Sequence, residues 1–116
     1  MFLAIGLYSQ LQAQTAVYFC SETGAYGYCT GSSNVQNCAY QKCLDYGGRY
    51  PQLVGSIVYK KGYGAIAIGT NYSGKKVIGA AAGFDTQDEA DRVATNYCWQ
   101  YGGQNTYIDA RFYDSF

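Results

Sequence analysis

The sequence lacks histidine, has one proline and carries few charges, and each shortage excludes some class of protein. Without histidine the commonest general base is missing, and attachment of haem through a cysteine pair followed by histidine is impossible. Charged residues make up 14% of the chain, with eight basic and eight acidic side chains. Because a nucleic-acid-binding protein usually carries a clustered basic surface, no nucleic-acid partner is expected.

Tyrosine and glycine are the abundant residues, at 14 and 15 of 116 positions. Tyrosine combines a large apolar ring with a polar hydroxyl, which suits half-buried strands and interfaces, and glycine permits tight turns. Since 48% of the residues are hydrophobic, the composition is typical of a folded chain rather than a disordered one. A chain of this length predicts one compact, β-rich domain.

A short pattern occurs twice in the chain. Residues 43–48 read CLDYGG, and residues 98–103 read CWQYGG. Each copy ends a stretch with helical periodicity, and each stretch follows two short strand-like runs. Such a repeat predicts one supersecondary unit used twice. We therefore expect residues 15–116 to form a single domain made of repeat units 15–60 and 63–114.

The second unit shows the pattern most clearly. Residues 63–69 and 76–81 predict two strands joined by a turn at residues 71–74. Thr86 and Glu89 match a capping box at the start of a helix, and Gly102-Gly103 end that helix. A last strand is predicted at residues 106–113. The predicted buried stripe of the helix consists of Ala90, Val93, Ala94, Tyr97, Cys98 and Tyr101.

The first unit repeats this order. Strands are predicted at residues 15–20 and 25–29, and a closing strand at residues 53–59. Ser33 and Gln36 form a weaker capping box at the start of the helix between them, which Gly47-Gly48 end. The matching buried stripe consists of Val35, Cys38, Ala39, Cys43 and Tyr46.

A helix with one apolar stripe must cover the face of a sheet. The sequence therefore predicts an α+β fold of two strand–strand–helix–strand repeats, with two helices packed on a mostly antiparallel sheet of about six strands. One continuous sheet and two packed half-sheets satisfy the pattern equally.

An apolar strand, a serine–glycine turn, a glycine-rich strand and a helix follow one another between Tyr63 and Phe112. The residues that carry this order are Gly64 to Ala67, Ser73-Gly74, Gly79 to Gly83, Asp88-Glu89-Ala90, Ala94 and Cys98. In this order the chain resembles the bacterial family called domain of unknown function 4189. Ala80-Ala81-Ala82 replace the aromatic residues of that family, and residues 104–106 lack its cysteine after the helix. The resemblance implies an exported bacterial domain and no particular activity.

Five cysteines in so short a chain indicate an oxidising compartment and predict structural sulfur. The disulfide candidates are Cys20, Cys29, Cys38, Cys43 and Cys98. Cys20 and Cys29 lie on the two strands of one predicted hairpin, Cys38 or Cys43 can reach the sheet beneath its helix, and Cys43 can face its counterpart Cys98. The pairing stays open. Because the cysteine spacings do not match a zinc site, no metal and no cofactor are expected.

The first 14 residues are apolar at the start and end in a short polar stretch with a small residue, Ala13. This pattern predicts either a secretory signal peptide that lacks its positively charged start or an ordered N-terminal segment. The apolar run is too short to span a bilayer. The expected location is secreted, periplasmic or in the cell envelope.

The tyrosines provide the strongest functional indication. Half of those in strands should face away from the helices, where an open sheet face would form a contact surface. The candidates for this interaction surface are Tyr18, Tyr26, Tyr28, Tyr59, Tyr63, Tyr107 and Tyr113. We therefore predict a non-enzymatic module that binds a protein partner. The alternative is a self-assembling extracellular subunit whose N-terminal apolar segment adds a strand to a neighbour.

Three weaker patterns concern polar side chains. Asn71-Tyr72-Ser73 matches the N-glycosylation acceptor pattern and also fits a hairpin turn. Asp109 and Arg111 alternate on one predicted strand and should share a face. The candidates for a catalytic carboxylate pair are Asp85, Asp88, Glu89 and Asp91, which cluster at a predicted helix start. Because capping explains that cluster, an enzyme of unknown class is the least favoured interpretation.

Overall fold

A computed structural model describes residues 12–115 of the chain. The expectation of a signal peptide or ordered segment at residues 1–14 falls almost entirely outside the described residues. The elements in chain order are β1 (Gln14–Phe19), β2 (Tyr26–Gly31), α1 (Val35–Asp45), β3 (Gln52–Leu53), β4 (Gly62–Thr70), β5 (Lys76–Phe84), α2 (Gln87–Gln100) and β6 (Gln104–Asp114).

The strands form two three-stranded antiparallel sheets. The first has the order β2-β1-β3 and the second has the order β5-β4-β6, so the first strand of each unit is central in both. The predicted α+β class, with two helices and six strands, is confirmed. The sequence left one continuous sheet and two packed half-sheets as alternatives, and the structure has two half-sheets.

Each helix covers one face of its own sheet. Beneath α1 lies a buried cluster that includes Ala16, Ala39 and Cys43, and beneath α2 lies a cluster that includes Ala65, Ala94 and Cys98. Most of the buried helix residues have small side chains. The small side chains thus permit a close approach of helix backbone to strand backbone.

The opposite faces of the two sheets pack on each other. Val17 of β1, Ile66 and Ile68 of β4 and Ile78 of β5 form a third buried cluster that contains no helix residue. Because side chains alternate along a strand, Val17 and Ile66 point away from the helix that covers their neighbours Ala16 and Ala65. The layers are therefore helix, sheet, sheet and helix.

The two helices begin differently. The Thr86 hydroxyl accepts a hydrogen bond from the Glu89 amide at 3.2 Å, so the predicted cap of α2 is confirmed. The predicted cap of α1 at Ser33 is wrong, because Asn34 precedes the helix in a left-handed conformation with φ of 61° and no side-chain cap. The Gln36 amide donates to the Tyr18 hydroxyl instead, at 2.9 Å.

The closing strand of the first unit is much shorter than the prediction of residues 53–59. Only Gln52 and Leu53 pair continuously with β1, and a single further bridge joins Thr15 to Val58. The segment between these two points arches away from β1. Among the described residues, neither helix has the length and apolarity needed to cross a membrane.

The buried stripes of the helices are narrower than predicted. Three residues are buried on each helix: Val35, Ala39 and Cys43 on α1, and Ala90, Ala94 and Cys98 on α2. The aromatic members of the predicted stripes lie outside the buried stripes, since Tyr46 is 72%, Tyr97 42% and Tyr101 64% exposed. A large ring does not fit under a helix that almost touches the strands.

Candidate functional site

A groove of about 360 Å³ lies between the first sheet and the outer strand of the second. One wall is formed by Val17 of β1 and by the arched segment Val54 to Val58, and the other by Ala80 to Ala82 of β5. Most of its lining is apolar, and no charged side chain contributes to it. The groove is therefore suited to an uncharged, apolar occupant.

The shape of the groove follows from two local features of the chain. On the first sheet, β3 is only two residues long. The Val54 amide still donates to the Val17 carbonyl at 2.8 Å, and the chain then leaves β1 at Gly55 and returns at the Thr15–Val58 bridge. On the second sheet, β5 carries three consecutive alanines whose small side chains leave the space beside the strand open. The arched segment thus faces the outer edge of β5, and small alanine side chains flank that edge on both faces of the strand.

β5 is the outer strand of its sheet and pairs only with β4 among the described residues. An outer strand presents a row of backbone N–H and C=O groups along its free edge. The groove lies beside this strand, so backbone hydrogen-bonding groups and an apolar surface occur together.

Two tyrosines from the end of α2 form the rim of the groove. The rings of Tyr97 and Tyr101 stack with centroids 6.4 Å apart and an interplanar angle of 12°. Neighbouring Trp99 is also exposed, and its indole N–H donates to the Thr106 hydroxyl at 3.0 Å. Trp99 therefore lies toward β6, whereas Tyr97 and Tyr101 provide exposed aromatic surface next to the apolar groove.

A second cleft, of about 440 Å³, lies between β2, α1 and β6 and is more polar. In it the Tyr26 hydroxyl donates to Asp109 Oδ2 at 2.5 Å, which joins the two units. Burial of the phenol, together with the hydrogen bond to the Asp109 carboxylate, raises the pKa of Tyr26 well above its usual value of 10.0. The cleft contains an inter-unit contact as well as open space.

The seven tyrosines predicted to form one interaction surface do not lie on one surface. Tyr18 is buried against α1, where its ring meets Tyr40 edge-on. Tyr26 and Tyr28 contact the core between the sheets, and Tyr28 stacks on Phe112 at 4.7 Å. The sheet face that the sequence analysis expected to be open is covered here by the other sheet.

The remaining four tyrosines of that set are more accessible. Tyr63 contacts Tyr113 with ring centroids 4.7 Å apart, and Tyr59, Tyr107 and Tyr113 are exposed. That these residues bind a partner stays a prediction. Sequence reasoning missed the rim residues Tyr97 and Tyr101, which it assigned to the core. The sequence signal that could have found them is the small size of Ala90, Ala94 and Cys98. A helix with such a buried stripe can lie too close to its sheet for a tyrosine ring to fit between them.

One of the possible cysteine pairings is formed as a disulfide, between Cys29 of β2 and Cys38 of α1. The Cys20–Cys29 option is wrong, because Cys29 lies opposite Ala16 in the hairpin. The Cys43–Cys98 option is also wrong, since each thiol is buried under its own helix in a separate cluster. Cys20, Cys43 and Cys98 are free and buried.

Several of the polar candidates have structural partners. Asn71 Oδ1 accepts from the Ser73 amide at 2.9 Å and the Lys75 amide at 3.0 Å, which stabilises the β4–β5 turn. Asp91 forms an ion pair with Arg111 at 2.9 Å. Within residues 12–115, no group of three or more histidine, cysteine or acidic side chains is arranged to hold a metal ion.

Asp109 and Arg111 do not share a face, which corrects the expectation from their spacing. A bulge interrupts the pairing of β6 where Ile66 and Ala67 of β4 face it. As a result Asp109 reaches Tyr26 of the other unit, whereas Arg111 reaches Asp91 of α2.

Comparison of the chain with models of known protein families, with curated proteins and with solved structures gave no significant match in any of the three.

Proposed function

We propose that this protein is a non-enzymatic binding module of an oxidising, extracytoplasmic compartment that takes up an extended apolar peptide segment. The observation that carries the proposal is the uncharged apolar groove beside the free edge of β5. The resemblance to domain of unknown function 4189 supports an exported bacterial origin. The Cys29–Cys38 disulfide supports the same compartment, because such bonds persist where the surroundings are oxidising.

An extended peptide fits this site better than a compact ligand. Main-chain N–H and C=O groups of an added strand can pair with the free edge of β5, which provides affinity. Alternate side chains of the same strand then enter the groove, which provides selectivity. Because alanines and valines line the groove, small and medium apolar side chains match it, and a charged side chain would lose its hydration without gaining a partner.

The stacked pair Tyr97 and Tyr101 completes the site. Exposed tyrosines supply large contact areas with few side-chain torsions to immobilise, and they are frequent among the residues that dominate binding energy. Their position at the rim lets them cover a bound strand from the helix side. We therefore expect Tyr101, the more exposed of the two, to contribute to affinity without contributing much to the core.

The test uses the full chain and a synthetic peptide with the sequence of residues 1–8 followed by two lysines for solubility. Calorimetry with wild-type protein should show binding, and Tyr101→Ala should weaken it at least about tenfold, equivalent to about 1.4 kcal/mol. The matched control is Tyr46→Ala, which removes an exposed tyrosine from the equivalent position of α1 and should leave the affinity unchanged.

A second arm tests the strand pairing itself. The same peptide with N-methyl groups on alternate residues keeps its side chains but cannot pair along one edge, and it should bind at least tenfold more weakly. Two results would overturn the proposal. One is an absence of binding by the unmodified peptide, and the other is equal loss of affinity in Tyr101→Ala and Tyr46→Ala.

Self-assembly is the second candidate function, and the chain itself supplies the observation that favours it. Seven of residues 1–8 are apolar or aromatic side chains, which is the chemistry that the groove accepts. Gln12 donates to the Tyr59 carbonyl at 3.4 Å, one residue beyond the groove residue Val58. This bond within one chain brings the start of the described residues close to the groove, and residues 1–8 of a neighbouring molecule match the groove in chemistry.

Sedimentation of the full chain over a range of concentrations tests this second function. Assembly predicts oligomers that dissociate both in Tyr101→Ala and in the double variant Leu3→Lys, Ile5→Lys. Monomers at every concentration, together with binding of the free peptide, would refute self-assembly and leave the binding module intact.

A further inference from the structure

Two free thiols lie side by side in the core beneath α1. Cys20 follows the last residue of β1, and Cys43 lies in the last turn of α1, and they are 1% and 0% exposed. Both converge on one carbonyl, since the Cys20 amide donates to Ala25 O at 2.9 Å and the Cys43 thiol donates to it at 3.5 Å. The two residues also belong to the same buried cluster.

Gly48 shows how close the two side chains are. A Cβ atom placed on Gly48 would lie 2.7 Å from Cys43 Sγ and 3.2 Å from Cys20 Cβ. A single methyl-sized position therefore touches both cysteines. The Cys43 sulfur and the Cys20 Cβ atom thus flank the same position within one buried cluster, which makes the two side chains neighbours.

The second unit provides an internal comparison. Tyr18 pairs with Gly27 in the first hairpin and Ala67 pairs with Gly79 in the second, so Gly69 occupies the position equivalent to Cys20. A Cβ atom placed on Gly69 would lie 3.0 Å from Cys98 Sγ. That distance falls between the S–S distance of about 2.05 Å and the Cβ–Cβ distance of about 3.8 Å in a disulfide.

The surroundings make the two thiols chemically unlike. The Thr23 hydroxyl and the backbone amides of Tyr50, Arg49 and Thr23 donate to the Cys20 sulfur and lower the pKa of Cys20 to about 6. Burial, and then the negative charge of Cys20, raise the pKa of Cys43. A thiolate is the attacking form in disulfide exchange, so Cys20 is the thiol that reacts first.

We propose that Cys20 and Cys43 are a redox-active pair that closes to a second disulfide when a low-molecular-weight disulfide is present. The Cys20 thiolate attacks one sulfur of that disulfide, forms a mixed disulfide and releases one thiolate. Cys43 then loses its proton to solvent and attacks the Cys20 sulfur, which releases the second thiolate. Two cysteine thiols are oxidised, and the external disulfide is reduced to two thiols.

The location of Cys20 permits the first step. The turn of residues 21–23 and the side chains of Arg49 and Tyr50 are exposed on either side of it. Because Cys20 itself is only 1% exposed, the first step requires this exposed turn to move aside. The resulting bridge ties the end of β1 to the end of α1 and leaves Cys98 as the single thiol, since Gly69 provides it with no partner.

The experiment treats the full chain with oxidised glutathione, quenches it, unfolds it without reductant and counts alkylated thiols by intact mass. Three thiols should be alkylated before oxidation, at Cys20, Cys43 and Cys98, and one after it. Trypsin cleaves after Lys42 and Arg49, so oxidation should join the peptide of residues 43–49 to the peptide that ends at Lys42.

Variants assign the bond. Cys20→Ser should keep its two remaining free thiols after oxidation and should yield no linked peptide, which also excludes exchange with the Cys29–Cys38 bridge. Cys98→Ser is the matched control and should lose both of its free thiols. Three alkylated thiols in the oxidised wild-type protein, or a linked peptide that persists in Cys20→Ser, would overturn the proposal.

Discussion

At the scale of single residues, one glycine under each helix sets how closely that helix approaches its sheet. A Cβ atom on Gly27 would lie 2.5 Å from both the Ala39 carbonyl oxygen and the Cys43 amide nitrogen. A Cβ atom on Gly79 would lie 2.1 Å from the Ala94 carbonyl oxygen. Both contacts are with helix backbone, which cannot turn aside as a side chain can. These positions therefore require glycine because of space rather than backbone conformation.

Replacement of Gly79 by alanine should displace α2 from β5. We expect the free energy of unfolding to fall by about 2 kcal/mol or more, as for other overpacked cores. The measurement is urea denaturation followed by circular dichroism. Gly74→Ala is the control, because Gly74 has φ of 82° but no neighbouring atom within 4 Å of an added Cβ atom. This substitution should lower the free energy of unfolding by about 1 kcal/mol, through backbone strain only. Equal losses in the two variants would contradict the steric explanation.

At the scale of elements, the two helices differ in how their first turns are satisfied. Thr86 caps α2, and Asp88 and Glu89 lie in its first turn, where negative charge favours the helix dipole. α1 has neither a side-chain cap nor an acidic residue in its first turn. The Cys29–Cys38 disulfide attaches the first turn of α1 to β2 instead, so a covalent bond holds the helix start that lacks a cap.

The caps can be compared directly by mutation. Thr86→Ala should lower the free energy of unfolding by about 1 kcal/mol, since it leaves the Glu89 amide without its acceptor. Ser33→Ala, at the position that the sequence predicted to cap α1, should change it by less than about 0.5 kcal/mol. Thermal unfolding monitored by circular dichroism distinguishes the two variants. A larger loss from Ser33→Ala than from Thr86→Ala would contradict the assigned helix start.

At the scale of the whole molecule, the two units contact each other through the faces of their sheets. The buried apolar part of this contact consists of Val17 from one unit and Ile66, Ile68 and Ile78 from the other, and the buried Thr15 hydroxyl donates to Asp114 Oδ2 across it at 3.3 Å. The Tyr26–Asp109 hydrogen bond lies at its polar edge. Because the phenol donates to a carboxylate there, the inter-unit contact depends on whether Tyr26 keeps its proton.

This dependence predicts a change of stability at high pH. The pKa of Tyr26 is raised in the folded protein and is about 10.0 in the unfolded chain. Below pH 10 both states keep the proton, so the contribution is fully present. Above pH 10 the unfolded chain loses the proton first, and this group lowers the free energy of unfolding by up to about 1.4 kcal/mol per pH unit.

Tyr26→Phe isolates the effect from the other tyrosines. At pH 8 the variant should be about 1 kcal/mol less stable than wild type, the usual contribution of one hydrogen bond. The difference between the two proteins should shrink as the pH rises from 9 to 11, in parallel urea titrations. A difference that stays constant over this range would show that Tyr26 does not titrate as its contacts require.

Local signals in the sequence anticipated much of the fold. Strand alternation, the Thr86 cap and the Gly102-Gly103 stop depend on residues close in the chain, and the structure has these elements near the predicted positions. The errors arise where distant residues decide. Tyr97 and Tyr101 match a helical stripe in spacing, but the close approach of α2 to Gly79 leaves no room for their rings.

Local sequence patterns did not predict the candidate site, for the same reason. The three alanines of β5 lie in sequence far from Val54, and only the packing of one sheet on the other brings them to the two sides of a groove. The bulge in β6 likewise comes from its pairing with β4. It separates Asp109 from Arg111, although their spacing alone places them together.

The sequence by itself determined the α+β class, the order of elements in each half and the start of α2, because neighbouring side chains and backbone groups set these features. Only the tertiary structure decided that the sheets form two layers, which tyrosines are exposed and which cysteines meet. Those outcomes depend on contacts between residues far apart in the chain, where helix-to-strand distance and sheet-to-sheet packing determine which side chains fit.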